Sequence, residues 1–233
     1  MKLVRGATIL LAVAFFASAA YQVSATTYND ATGENFTGAG GGILDISSVE
    51  VTHNATDLIF KINLTGDPVA TDWGKYTIGI DSVVGGDTTG NGWARPISMS
   101  SGMDYWVGSW VDSGNGAELY KYNAGWSLTY ATYTPTNAIS ISKDSSSVTL
   151  KLTYADLGLV NGSTFCFDVY TTGGGGSDSA VDALANPNQS IADWPGPYDS
   201  GNNMYYYTIP EPSTFVLLGL GGLALVAAIR RRK

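Results

Sequence analysis

The side chains best suited to chemistry crowd into one stretch. Trp73, Trp93, Tyr105, Trp106, Trp110, Tyr120, Tyr122 and Trp126 all fall between residues 73 and 126. In an extended strand alternate residues share a face. Asp104, Trp106, Trp110 and Asp112 then lie on one side of a strand, with Tyr105, Val107 and Val111 on the other. Glu118, Tyr120 and Tyr122 likewise share one side of the next segment. If the two strands pair, one face carries indoles, phenols and carboxylates. That chemistry suits sugars, whose C–H faces stack on aromatic rings while carboxylates accept their hydroxyl protons. Trp93, Trp106, Trp110, Tyr120 and Tyr122 are therefore the candidate carbohydrate-binding residues. The competing expectation is that the same rings fill a core.

A second set is acidic. Asp81, Asp87 and Asn91, in the loop DSVVGGDTTGNG, present oxygen ligands of the kind calcium takes. Asp178 and Asp182 form another candidate pair, but no EF-hand spacing is present, and solvated loop carboxylates are the simpler reading. No cofactor other than this calcium is suggested. Acid–base catalysis needs two carboxylates set across a substrate, and the sequence singles out no pair. The one cysteine, Cys166, sits in the apolar run Phe165-Cys166-Phe167, which points to a buried structural thiol. The one histidine, His53, falls in a segment that reads as a turn. A Cys–His pair is thus not expected, and the chain reads as a non-enzyme.

The elements that must position these residues are strands. Leu58, Phe60, Ile62 and Leu64 alternate with polar residues, as do Tyr76, Ile78 and Ile80; Val148, Leu150, Leu152 and Tyr154; and Phe165, Phe167 and Val169. Further strands are expected at 44–52, 103–111, 117–123, 126–133, 138–142 and 203–208, and one helical turn at Tyr154-Ala155-Asp156-Leu157. About ten short strands between Gly-, Asn-, Asp- and Ser-rich turns predict an all-β chain, a single antiparallel, jelly-roll-like β-sandwich over residues 26–208. Three long loops, Asp81 to Gly92, Gly173 to Asp193 and Asp193 to Asn203, are the places where binding would sit.

The two ends differ from this middle. Lys2 and Arg5 precede the apolar run Ala7 to Ala20, and small residues follow at Val23-Ser24-Ala25. This is the layout of a secretory signal peptide, residues 1–25, which enters the Sec translocon; Ala17-Ser18-Ala19 is an earlier candidate cleavage site. At the other end, Pro210-Glu211-Pro212 is followed by the uncharged run Thr214 to Ile229 and by Arg230, Arg231, Arg232 and Lys233. The run is close to the roughly 20 residues of a membrane span, and the basic cluster would stay cytoplasmic. With these ends set aside, 6 basic residues face 19 acidic ones. Such a balance argues against nucleic acid, whose phosphates need basic surface.

Two resemblances follow. The motif, apolar run and Arg-rich end, residues 209–233, resemble the PEP-CTERM sorting signal. That resemblance implies recognition by exosortase, a membrane cysteine protease, with cleavage near Pro210-Glu211-Pro212. It also implies a Gram-negative bacterium that makes exopolysaccharide, transient inner-membrane anchoring, and a product secreted to the cell surface or into a biofilm or floc matrix. Separately, ILDISSVEVTHNATDLIFKINL (43–64), the YADLG turn (154–158), GSTF (162–165) and FDVY (167–170) resemble family 9 carbohydrate-binding-module-like domains and the C-terminal sandwich of glucodextranase-type proteins. This implies a carbohydrate-binding sandwich in which paired tryptophans clamp a sugar end. The function expected is binding of extracellular polysaccharide; the alternative is a structural matrix protein with no specific ligand.

Overall fold

In a computed structural model, residues 25–34, 36, 38–135, 137–187, 193–194 and 196–211 are described. The strands are β1 (Thr26–Asn29), β2 (Ile46–His53), β3 (Asp57–Leu64), β4 (Lys75–Asp81), β5 (Ile97–Ser98), β6 (Tyr105–Trp110), β7 (Gly116–Tyr122), β8 (Trp126–Ala131), β9 (Ile139–Lys143), β10 (Ser147–Thr153), β11 (Thr164–Thr172), β12 (Asp182–Ala183), β13 (Tyr198–Asp199) and β14 (Tyr205–Thr208). A 3-10 turn, Tyr154–Leu157, stands where the sequence predicts one, and Gly158 closes it at φ 70°, a left-handed conformation that costs glycine little.

The first sheet runs β1-β2-β3-β10-β9, and the second runs β12-β11-β4-β6-β7-β8, with β14 also paired to β11. Every pairing in these two sheets is antiparallel, whereas β5 and β13 form a small parallel pair. Alternation sets the register. Leu58, Phe60 and Ile62 stand opposite Leu152, Leu150 and Val148, so a slip by one residue would turn every apolar side chain outward. Short polar turns complete the hairpins. Asn54 Oδ1 accepts from the amides of Thr56 (2.8 Å) and Asp57 (2.7 Å), and Asp144 Oδ1 accepts from that of Ser146 at 2.8 Å.

The two sheets bury one shared core. Val51, Phe60 and Leu150 from the first meet Tyr76, Ile78, Val107, Leu119 and Phe167 from the second. Phe60 and Phe167 pack edge-on, with ring centroids 5.2 Å apart. A smaller cluster of Ala39, Ile43, Leu44 and Val181 closes one side.

The second sheet is covered on its other face too. Ile97, Met99 and Met103, from the segment between β4 and β6, and Ala180, Ala183 and Tyr198, from the long loops after β11, pack over Trp106 and Tyr170. This explains why β4 and β11 are buried on both faces along most of their length. The two long loops after β11 and the segment between β4 and β6 thus form a lid over the sheet. They contribute β5, β12 and β13, which period-2 patterning does not reveal because these strands are two residues long.

Candidate functional site

The aromatic face is built on β6, β7 and β8. Its rungs are set by pairing: Trp110 faces Gly116, Gly108 faces Glu118, and Trp106 faces Tyr120. The two glycines make room for rings. A Cβ on Gly108 would lie 2.1 Å from the Trp93 indole, and one on Gly116 would lie 1.9 Å from the Trp110 indole. Each indole thus lies directly against backbone, which only glycine permits.

Glu118 ties the rings together. Its Oε2 accepts from Trp93 Nε1 (2.7 Å) and from the Tyr120 hydroxyl (3.1 Å), and its Oε1 accepts from the Tyr133 hydroxyl (2.7 Å). Burial, followed by the neighbouring Glu118 carboxylate, pushes the Tyr120 phenol up to about 12. The hydrogen bond to Glu118 is the main cause raising the Tyr133 phenol. Both phenols therefore remain protonated donors at neutral pH. Beyond this group, Trp126 donates Nε1 to Asp87 Oδ2 at 2.7 Å, and its ring tilts against Tyr122 at 5.5 Å.

Five sequence candidates occupy this face in different ways. Trp93, Trp110, Tyr120 and Tyr122 are half-buried and keep part of each ring at the surface. Trp106 does not share that surface. It is 0 % exposed, stacked on Tyr170 at 6.0 Å and 21° beneath the loop lid. The expectation that Trp106 and Trp110 form one open platform is thereby corrected: their strand face is half roofed. Asp104 and Asp112 are engaged elsewhere. Asp104 Oδ2 accepts the amides of Ser82 and Val83, each at 2.8 Å, and Asp112 pairs with Lys75 at 3.1 Å.

Trp110 instead pairs with a residue the sequence did not single out. Tyr133, 61 % exposed, lies nearly parallel to it, with centroids 6.5 Å apart and planes at 29°. Together they flank a groove of about 530 Å³ whose rim includes Ser113, Asn115, Thr132 and Ser140. The sequence predicts a strand through residue 133, but β8 ends at Ala131 and Tyr133 stands just past it, in a turn. Two aromatic planes beside hydroxyl and amide groups match the apolar and polar sides of a sugar ring.

The calcium candidates do not converge. Asn91 is buried, and its amide donates to the carbonyls of Arg95 (2.9 Å) and Ile97 (2.7 Å) while Oδ1 accepts the amide of Trp93 at 3.0 Å. It shapes the loop. Asp87 Oδ1 accepts from the amides of Thr89 and Gly90. Burial works to raise its carboxyl, but these donors and Trp126 outweigh it and hold the group below the usual range. Asp81 closes β4, and burial raises its carboxyl. Asp178 accepts the Gly175 amide at 2.7 Å, while Asp182 is buried and accepts that of Ile46 at 2.6 Å. Among the described residues, no group of three or more His, Cys, Asp or Glu side chains is placed to hold a metal ion.

His53 ends β2 rather than forming a turn, is buried, and meets the Tyr207 hydroxyl through Nδ1 at 2.7 Å. Cys166 is buried in β11, and burial pushes its thiol up to about 12, far from a reactive thiolate at neutral pH. Sequence patterning did not anticipate the buried acids. Asp168 is wholly enclosed and accepts from Ser200 Oγ (2.6 Å) and the amides of Val169 (2.8 Å) and Ala185 (2.9 Å). Burial pushes it, like Asp182, up to about 7.

At the C-terminal end, Ile209 is fully buried, and Pro210 and Glu211 are exposed. Pro212, the apolar run 214–229, Arg230, Arg231 and Arg232 lie outside the described residues, as does all but the last residue of the segment read as a signal peptide, 1–25. Among the described residues, no helix is long and apolar enough to cross a membrane. Residues 208–233 match the model of the PEP-CTERM protein-sorting motif. No curated protein matches the chain. The chain thus carries the mark of an exported protein that exosortase processes at the membrane.

Proposed function

We propose that this is a carbohydrate-binding surface protein of a Gram-negative bacterium. A signal peptide (1–25) delivers it to the Sec translocon, the run 214–229 holds it briefly in the inner membrane, and exosortase releases it at Pro210-Glu211-Pro212 into an exopolysaccharide matrix. The ligand is extracellular polysaccharide, bound without turnover. The observation that carries this reading is the Trp110–Tyr133 pair, near-parallel over a polar-rimmed groove. Trp93, Tyr120, Tyr122 and Trp126 extend the same surface across β7 and β8. The resemblance of residues 43–64 and 154–170 to carbohydrate-binding-module-like domains supports it at the level of strand pattern.

One observation favours a second reading, a structural matrix protein without a specific ligand. Both oxygens of Glu118 and both of Asp87 already accept hydrogen bonds from the protein. In that case the polar groups of the aromatic face serve to hold the rings rather than a sugar. Affinity electrophoresis of the exported protein in gels of the host's own polysaccharide separates the two: retardation supports binding, and free migration supports the structural reading. Intact mass of the surface form tests the processing, which predicts loss of everything beyond about Pro212.

A further inference from the structure

Seven large apolar side chains are conspicuously exposed among the described residues, and four of them gather at one end of the sandwich. Val83 and Val84 follow β4, Val160 lies in the turn before β11, and Tyr206 is on β14. The structure brings these segments together. Ser82 Oγ donates to the Leu157 carbonyl at 3.2 Å, Cys166 of β11 stands opposite both Asp81 and Tyr206, and Thr164 stands opposite Thr208. A groove of about 470 Å³ runs between Val83, Val84, Ser101 and Tyr206.

The chain leaves the fold at this same end. Ile209 is fully buried; its amide donates to Ser163 O at 2.9 Å, and its carbonyl accepts from Gly162 N at 2.7 Å. Only Pro210 to Ser213 then separate the core from the apolar run that begins at Thr214. Five residue-to-residue steps span at most about 18 Å fully extended. Before cleavage this end of the domain is therefore held at the bilayer surface. Its two projecting loops, Ser82 to Gly86 and Leu157 to Ser163, contain no charged residue, although Asp81 lines the groove and Glu211 stands beside Gly162, in a domain where acidic residues greatly outnumber basic ones. Elsewhere, that excess of negative charge would be repelled by an anionic leaflet.

We infer that the tip formed by Val83, Val84, Val160 and Tyr206 is a membrane-resting face, seated in the lipid interface while the sorting segment is still attached. Exposed aliphatic side chains gain by leaving water there, and a tyrosine suits the headgroup level. The domain is thus oriented, with Trp110, which stands opposite Lys75 at the far end of β4, held away from the bilayer. The inference rests on the matched sorting motif and not on carbohydrate binding.

The test uses the full chain reconstituted in vesicles of phosphatidylethanolamine and phosphatidylglycerol. A fluorescent thiol label is placed at Val84→Cys or, as a control at the far end of β4, at Val69→Cys; both positions are exposed, whereas Cys166 is buried. Iodide should quench the label at position 84 several-fold less than that at 69. Adding Val83→Asp and Val160→Asp to the Val84→Cys chain should abolish the protection while leaving the melting temperature unchanged. Equal quenching at 84 and 69 overturns the inference. Protection that survives the two aspartates also overturns it, because the tether alone would then account for the orientation.

Discussion

Trp93 donates its indole N–H to Glu118 at 2.7 Å, from a loop some two dozen residues earlier in the chain, while its ring lies against Gly108 on the neighbouring strand. One carboxylate thus fixes the loop, the ring and, through Tyr120 and Tyr133, the edge of the groove. Glu118→Ala should release all three donors. A lost hydrogen bond to a charged acceptor typically costs about 1.5–3 kcal/mol, and these partly exposed donors can recover some of that from water. The expected change is a drop in melting temperature of a few degrees and a red shift in tryptophan emission, with Glu118→Gln in between. Unchanged emission would show that Trp93 is held by packing alone.

Trp106 and Trp110 should behave differently despite sharing a strand face. Trp106 is enclosed, so Trp106→Ala is expected to cost about 3–5 kcal/mol. Trp110 is half-buried against Gly116, so Trp110→Ala should cost clearly less and leave the cooperative transition intact. Gly108→Ala should mimic neither: its methyl collides with the Trp93 ring and overpacks the face by about 1–3 kcal/mol. Denaturant midpoints for the three variants check this order.

The buried acids predict an unusual pH dependence. Asp168 and Asp182 are raised from the ordinary 3.8 to about 7, chiefly by burial. Between those values the folded state holds protons that the unfolded chain has lost, so stability falls as pH rises. The protein should be more stable at pH 5 than at pH 8, with the loss spread over that interval. Asp168→Asn should flatten the slope. A denaturant midpoint that rises from pH 5 to pH 8 would contradict this assignment.

Much of the sheet framework is legible in the sequence, because alternation there reports a face that must be buried. Leu58-Phe60-Ile62 and Val148-Leu150-Leu152 fall on β3 and β10, in register with each other. The roof over the second sheet is not legible. Met99 and Ala180 lie in irregular segments, and their burial depends on loops closing over Trp106, which no local period encodes. For the same reason Trp106 looks like Trp110 in the sequence and differs from it in space. Tyr133 falls inside the strand expected at 126–133, but β8 stops at Ala131, and it is the following turn that carries the ring to the groove, which strand alternation does not show. Asn91 looked like an oxygen ligand because composition cannot show that its Oδ1 already accepts the backbone amides of Trp93 and Arg95.

In the proposed function, the Trp110–Tyr133 groove holds polysaccharide. Its most direct test is affinity electrophoresis of the wild type, Trp110→Ala and Tyr133→Ala in gels containing the exopolysaccharide of the producing cell, with melting curves on the same samples. Each stacked ring contributes on the order of 1 kcal/mol beyond area burial, which corresponds to roughly a fivefold change in affinity. The wild type should be retarded and each variant should lose about that much affinity, with a cooperative melting transition retained. Wild-type protein that migrates freely, or variants retarded as strongly as the wild type, would contradict it.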